Sequence, residues 1–82
     1  GFIHFSTDRC EFNSSDLNKI EFIRSLYYNK VECARYSSSL GKFVGYNELG
    51  LKQAEAWNNN PSYMAELRAA KEVYCKFYIH IA

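Results

Sequence analysis

Three cysteines and one glycosylation sequon are the residues of this chain with the most readily interpreted chemistry. The cysteines are Cys10, Cys33 and Cys75, and an N-x-S sequon begins at Asn13. A disulfide bond and an N-linked glycan both require the oxidising secretory pathway, so the two signals support each other. A bond between Cys10 and Cys75 would stabilise the fold by roughly 4 kcal/mol on the chain-entropy model. We therefore predict an extracellular or luminal protein with a glycan on Asn13.

The remaining reactive side chains do not indicate catalysis. The two histidines, His4 and His80, belong to no pattern that would activate a nucleophile. The cysteine spacing is not that of a metal site, and we expect no metal or cofactor. Ten Lys and Arg residues against nine Asp and Glu residues give a net charge of +1. That balance argues against binding to nucleic acid or an anionic membrane, and an enzyme is the least expected function.

The length of the chain limits how much stability its core can supply without further support. Eighty-two residues form one small domain, residues 1–82, whose core supplies only a few kcal/mol. Support from a disulfide or a partner chain is therefore expected. The sequence contains no signal peptide and no membrane-spanning run, so we expect a processed or truncated part of a longer protein.

The first half of the chain predicts a sheet. Apolar and polar residues alternate between turn-forming sequences, and Asn29-Lys30 is typical of a tight turn. The predicted strands are residues 2–12, 19–28, 31–37 and 42–46. We therefore expect four antiparallel strands within about residues 2–50.

The second half predicts a bent helix over about residues 51–77. It is rich in helix-forming residues. Pro61 predicts a break between segments of about 51–59 and 62–77, with Ser62 as the cap of the second. Strands followed by a kinked helix predict an α+β fold in which the helix crosses one face of the sheet.

The predicted first strand has a polar side. If Cys10 points toward the helix, then His4, Ser6 and Asp8 point the same way, because side chains alternate along a strand. Such residues make a poor core but a suitable floor for a cleft. The helix is therefore expected along one edge of the sheet, leaving floor exposed.

In order and spacing, these residues resemble the membrane-distal domain of the beta chain of major histocompatibility complex class II molecules. The resemblance covers nearly the whole chain, and residues 27–50 look most like beta chains of bony fish. It rests on Cys10, Asn13, Tyr28-Asn29, Arg35, Gly41, Glu48-Leu49-Gly50, Ala54-Glu55, Trp57-Asn58, Arg68-Ala69-Ala70 and Tyr74-Cys75.

The resemblance implies that the chain is half of a heterodimeric receptor. An alpha chain would supply the other four strands and the second helix, and antigenic peptide would lie between the helices for presentation to helper T cells. The implied further partners are the T-cell receptor, its co-receptor and the invariant chain, at the cell surface and the endosomal membrane. Physical reasoning also asks for a partner, because one wall cannot enclose a ligand and a sheet edge needs pairing.

The resemblance also implies which side chains contact peptide. Trp57 matches a helix tryptophan whose indole donates a hydrogen bond to the peptide main chain; the alternative is a packing tryptophan. Ordinary packing is likewise the alternative for Leu26 and Leu67. Matched helix positions are Tyr63, Glu66, Leu67, Ala70 and Tyr74, and matched floor positions are His4, Ser6, Asp8, Phe22, Arg24, Leu26, Cys33, Phe43 and Gln53. Asp8, Arg24 and Glu66 would form a charged pocket that selects polar or charged peptide anchors.

Two departures from the family pattern affect the implied function. Lys76, Phe77 and Tyr78 follow Cys75, where peptide-presenting members usually have a basic residue, His and Asn. Each lost bond to the peptide backbone would cost roughly 1 kcal/mol unless the Tyr78 hydroxyl substitutes. Gln53 stands where an Asp often pairs with an alpha-chain Arg. A non-classical relative that exchanges peptides or binds no ordinary peptide is therefore the alternative, and a disulfide-stapled adhesion module ranks third.

Cys33 is left over once Cys10 and Cys75 pair. A lone cysteine is usually an inert buried thiol, and a reactive or intermolecular thiol is the alternative. Its matched position would make it a small lining of the floor.

Overall fold

The computed structural model describes residues 4–13 and 16–75 and confirms the α+β fold. Four antiparallel strands form one sheet in the order β1-β2-β3-β4, and helices follow. The strands are β1 (His4–Asn13), β2 (Asp16–Tyr28), β3 (Val31–Ser37) and β4 (Lys42–Gly45). The helices are α1 (Glu48–Asn58), α2 (Pro61–Ala70) and a π-helical turn (Lys71–Cys75).

The hairpin between β2 and β3 confirms the predicted tight turn. Asn29 and Lys30 have φ angles of 54° and 70°, which match the twist of the flanking strands. Further along this pair, Leu26 lies opposite Ala34 and Tyr27 opposite Glu32. Cys33 is therefore the extra residue of a β-bulge.

Asparagine side chains determine where both helices begin. The Asn47 side chain accepts a hydrogen bond of 2.8 Å from the Gly50 N–H, so α1 begins at Glu48, ahead of the predicted residue 51. The Asn60 side chain accepts one of 3.1 Å from the Tyr63 N–H. The prediction that Ser62 caps α2 was therefore wrong. Pro61 fits the first helical position, where an N–H has no partner within the helix, and this moves the cap back to Asn60.

The core lies between the sheet and the helices. Its buried members come from β2, β3, β4, both helices and the π-helical turn: Phe22, Tyr36, Phe43, Ala54, Met64, Leu67 and Cys75. The expected polar floor is thus confined to β1, where His4 and Ser6 are exposed. Cys75 forms the predicted disulfide with Cys10, at a Cα–Cα distance of 5.6 Å.

Candidate functional site

A junction of charged side chains lies between the sheet and α2. Asp8 and Arg24 are directly opposite each other on β1 and β2. The Arg24 Nε and Nη2 donate to the two carboxylate oxygens of Asp8 at 2.8 and 2.9 Å. These bonds raise the pKa of the guanidinium above its usual value, in spite of partial burial. Arg24 is therefore held as a cation in one orientation.

The third partner of Arg24 is Tyr63, which comes from the first turn of α2. Arg24 Nη1 donates to the Tyr63 hydroxyl at 3.1 Å. Glu66, which the sequence placed in this charged pocket, is exposed and has no hydrogen bond or ion pair within the described ranges. The junction uses three of the five N–H groups of the guanidinium. Two donors therefore remain for a ligand.

An aromatic cluster adjoins this junction. The Trp57 ring lies 4.9 Å from that of Phe43 and 5.3 Å from that of Tyr63, between ring centroids. Phe43 and Tyr63 are stacked at 6.0 Å. Trp57 is half-buried, and its indole N–H donates to no residue in the described part of the chain. Its body therefore packs in the cluster while its donor stays available.

The disulfide end of the helical layer contributes Tyr74. Its hydroxyl donates to the Asp8 carbonyl oxygen at 3.3 Å, and its ring meets that of Phe22 edge to face at 5.9 Å. Asp8 thus receives bonds from Arg24 on its side chain and from Tyr74 on its backbone. Sheet and helical layer are joined at this point by polar contacts as well as by the disulfide.

The predicted site residues divide by accessibility. Exposed are His4, Ser6 and Glu66; half-buried are Asp8, Arg24, Leu26, Gln53, Trp57, Tyr63, Ala70 and Tyr74; buried are Phe22, Cys33, Phe43 and Leu67. The buried four lie in or beside the core, and their contact with peptide stays a prediction. Leu67, at 0% exposure, is a core residue, as its packing alternative held.

Cys33 lies at the bulge and is a buried free thiol, as expected of a lone cysteine, and its role as a lining of the floor stays a prediction. Its thiol contacts the Leu26 carbonyl oxygen at 3.5 Å, and its own carbonyl oxygen accepts from the Tyr46 N–H at 2.8 Å. Tyr78 and the adjacent Phe77 lie outside the described residues. Asn13 ends β1, but its side chain is not described, so the glycan remains a prediction.

Asn58 is a positioning residue whose role the sequence did not reveal. Its Oδ1 accepts from the Phe43 N–H at 2.7 Å, and its Nδ2 donates to the Phe43 carbonyl oxygen at 3.1 Å. A primary amide has the same donor and acceptor spacing as a peptide group, so Asn58 takes the place of a neighbouring strand at the β4 edge. The feature of the sequence that could have indicated this role is the position of Asn58 just before the helix break at Asn59-Asn60.

The opposite face of the sheet carries a separate set of polar contacts. Glu21 on β2 accepts bonds from the hydroxyls of Ser37 and Ser39, which lower the pKa of its carboxyl group. Arg35 donates to both carboxylate oxygens of Glu32 at 2.9 and 3.0 Å. Burial alone would raise the pKa of Glu32, but the bonds from Arg35 lower it overall.

No helix among the described residues is long and apolar enough to cross a membrane.

Comparisons with known proteins agree with this architecture. A family model described as the class II histocompatibility antigen, beta domain, matches residues 1–81. The mouse (Mus musculus) H-2 class II histocompatibility antigen, E-D beta chain, is 30% identical over 81 residues, which are 99% of this chain and 30% of that protein. The human (Homo sapiens) HLA class II histocompatibility antigen, DRB1 beta chain, is 34% identical over 65 residues, 79% of this chain and 24% of its own length. The chain thus spans less than a third of these relatives, and it belongs to the class II histocompatibility antigen beta domain family.

Proposed function

We propose that this chain is the beta half of a peptide-binding receptor that pairs with an alpha chain and presents peptide to helper T cells. The supporting observation is the difference between the two edges of its sheet. At the β4 edge, the N–H and C=O of Phe43 are both bonded to Asn58. At the other edge, β1 pairs with β2 and with no second strand among the described residues, and it exposes Phe5 and Phe12. A strand of a partner chain is the natural occupant of such an edge.

The proposed peptide contacts are the half-buried polar groups above the floor. The indole N–H of Trp57 and the two remaining N–H groups of Arg24 are donors, and both side chains are fixed by their neighbours. Fixed donors lose little conformational entropy when a ligand binds. Because Asp8 neutralises most of the Arg24 charge, the pocket favours amide or acidic peptide side chains with acceptor oxygens.

The test is peptide elution from the full-length chain co-expressed with its alpha partner. The proposal expects a nested set of peptides that share a core, identified by mass spectrometry after acid elution. Trp57→Phe keeps an aromatic ring against Phe43 and Tyr63 but removes the donor. It should speed peptide dissociation about fivefold, the equivalent of one hydrogen bond. Glu55→Gln, on α1, serves as the control, because Glu55 is exposed, is not a predicted peptide contact, and its side chain forms no hydrogen bond or ion pair within residues 4–13 and 16–75. If peptide dissociated from the Trp57→Phe variant at the wild-type rate, the Trp57 indole would not be a peptide contact.

One sequence observation favours a second candidate function. Phe77 and Tyr78 stand where presenting members usually have His and Asn, which suits a non-classical relative acting in peptide exchange or holding no ordinary peptide. An empty groove in a stable heterodimer would support that function and overturn the first. Histocompatibility antigens are receptors, not enzymes, as the sequence led us to expect.

The finer assignments belong to the same proposal. They are a cell-surface and endosomal location, binding to the T-cell receptor, its co-receptor and the invariant chain, and an origin in bony fish. The pattern of residues 27–50 supports the last of these. Co-purification of the invariant chain with the full-length protein would test the endosomal route, and its absence would count against that route.

A further inference from the structure

We propose that a cavity between the β3–β4 turn and α2 binds a tetrahedral oxyanion, that is, a sulfate or phosphate group. The cavity has a volume of about 250 Å³ and is lined by Tyr36, Ser38, Gly41, Arg68, Lys71 and Glu72. None of these residues belongs to the Arg24 junction or the Trp57 cluster. The cavity is therefore a separate site, whose occupation does not depend on peptide binding.

Two cations on the helical wall of this cavity have no anionic partner among the described residues. Arg68 and Lys71 are three residues apart, which brings them to the same side of a helix. By contrast, Arg9, Arg24 and Arg35 each form an ion pair with a carboxylate. Within residues 4–13 and 16–75, Arg68 and Lys71 form none. Their positive charge is therefore available to a ligand.

Tyr36 on β3 also lines this cavity. The residue is only 1% exposed, and its hydroxyl forms no hydrogen bond within the described part of the chain. Burial raises the pKa of Tyr36, while the positive charge of Arg68 acts in the opposite direction and thus lies near the ring. The hydroxyl is a neutral donor close to the guanidinium.

The β3–β4 turn completes the lining and leaves the cavity open. The Ser38 hydroxyl oxygen accepts from the Phe22 N–H at 2.9 Å, so its own O–H can still donate. No atom lies within 4 Å of the position that a side chain on Gly41 would take. A guanidinium, an ammonium and two hydroxyls form a donor set suited to an oxyanion. Glu72 is the opposing charge, so the lining has a net charge of +1, and binding is expected to be weak.

A second cavity extends the first toward another cation. It has a volume of about 460 Å³, shares Gly41 and Arg68 with the first, and reaches Lys42. An oxyanion at Arg68 therefore has room for a larger group attached to it. The ligand is either the free ion or the same group carried on a sugar, and the experiment below separates the two.

The test measures sulfate binding to the full-length chain, purified from animal cells together with the chain that accompanies it. Equilibrium dialysis with radiolabelled sulfate in chloride buffer of constant ionic strength should reveal one saturable site per chain. Arg68→Gln should weaken binding about tenfold and Tyr36→Phe about threefold, since each removes a donor. Glu72→Gln should tighten binding. Arg9→Gln removes the same charge elsewhere and should change nothing.

The outcomes are distinct. Absence of saturable binding to the wild type, or equal binding by wild type, Arg68→Gln and Tyr36→Phe, would overturn the proposal. A loss in Arg9→Gln equal to that in Arg68→Gln would also overturn it, because binding would then follow net charge. Arg68-dependent binding of a sulfated disaccharide that is tighter than free sulfate, with no binding of its desulfated form, would identify a sugar-borne group. Weaker binding of the disaccharide would identify the free ion.

Discussion

The two helices are attached to the sheet by different means. α1 lies against the bulge in β3 through Gly50 and is bonded to the β4 edge through Asn58. α2 and the π-helical turn are attached by the Cys10–Cys75 disulfide and by the Tyr63 bond to Arg24. At the β4 side of the sheet, α1 is held by the close approach of its backbone at Gly50 and by the bonds of Asn58. Toward β1, where His4 and Ser6 are exposed, the disulfide adds a covalent attachment to the apolar packing of Met64 and Leu67.

The largest expected effect comes from closing the space beneath α1. In Gly50→Ala, the added Cβ would lie 1.7 Å from the Cys33 carbonyl oxygen unless the backbone moved. Although alanine favours a helix, we expect a loss of at least about 4 kcal/mol in the free energy of unfolding, measured with urea. Gly41→Ala is the matched control. It meets no neighbour but must adopt a φ of 72°, so it should cost only about 1 kcal/mol.

The next effect comes from removing the covalent attachment of α2. Cys10→Ala combined with Cys75→Ala should lower the free energy of unfolding by about 4 kcal/mol. Hydrogen exchange should then quicken in α2 more than in α1, because Asn58 and Gly50 still hold α1. Cys33→Ala, which leaves the disulfide intact, should cost about 1 kcal/mol. Equal loss of protection in both helices would mean that the two attachments act as one unit.

The polar clamp on β4 should have an intermediate effect. Asn58→Ala removes two hydrogen bonds from the edge strand and should cost about 1.5 kcal/mol in thermal unfolding. Its neighbour provides the control, because the one bond of the Asn59 side chain within residues 4–13 and 16–75 goes to the Glu55 carbonyl oxygen at an exposed position. Asn59→Ala should cost under about 0.5 kcal/mol. Similar losses in both variants would contradict the clamp.

The smallest effect concerns the face of the sheet away from both helices. The Ser37 and Ser39 hydroxyls lower the pKa of Glu21 in the folded protein. The stability gained from this is present above the ordinary pKa of a Glu and is lost as the pH falls through the lower, folded-state value. Glu21→Gln should flatten the acid limb of a stability–pH curve, by under about 1 kcal/mol. An unchanged acid limb would show that these hydroxyls do not favour the carboxylate.

Local patterns predicted much of the fold and less of the site. Alternation along the first half predicted four strands, Asn29-Lys30 predicted the turn, and Pro61 predicted the helix break. The prediction that Ser62 caps α2 was wrong. Proline and serine both suit the first turn of a helix, and only the backbone conformation shows that Asn60 is the cap. The sequence grouped Glu66 with Asp8 and Arg24 and did not indicate Tyr63 as a partner of Arg24. The break at Asn59-Asn60 turns α2 so that the tyrosine hydroxyl reaches Arg24.

The sequence by itself determined the order of strands and helices, the Cys10–Cys75 framework and the family. These features depend on residue types and on their separation along the chain, and both can be read from the sequence. The tertiary structure alone decided that Leu67 lies in the core and that Arg68 and Lys71 lie beside Tyr36 with no ion-pair partner within residues 4–13 and 16–75. The reason is physical: periodicity specifies a face of a helix, whereas packing against the sheet sets the rotation and distance that bring particular atoms together.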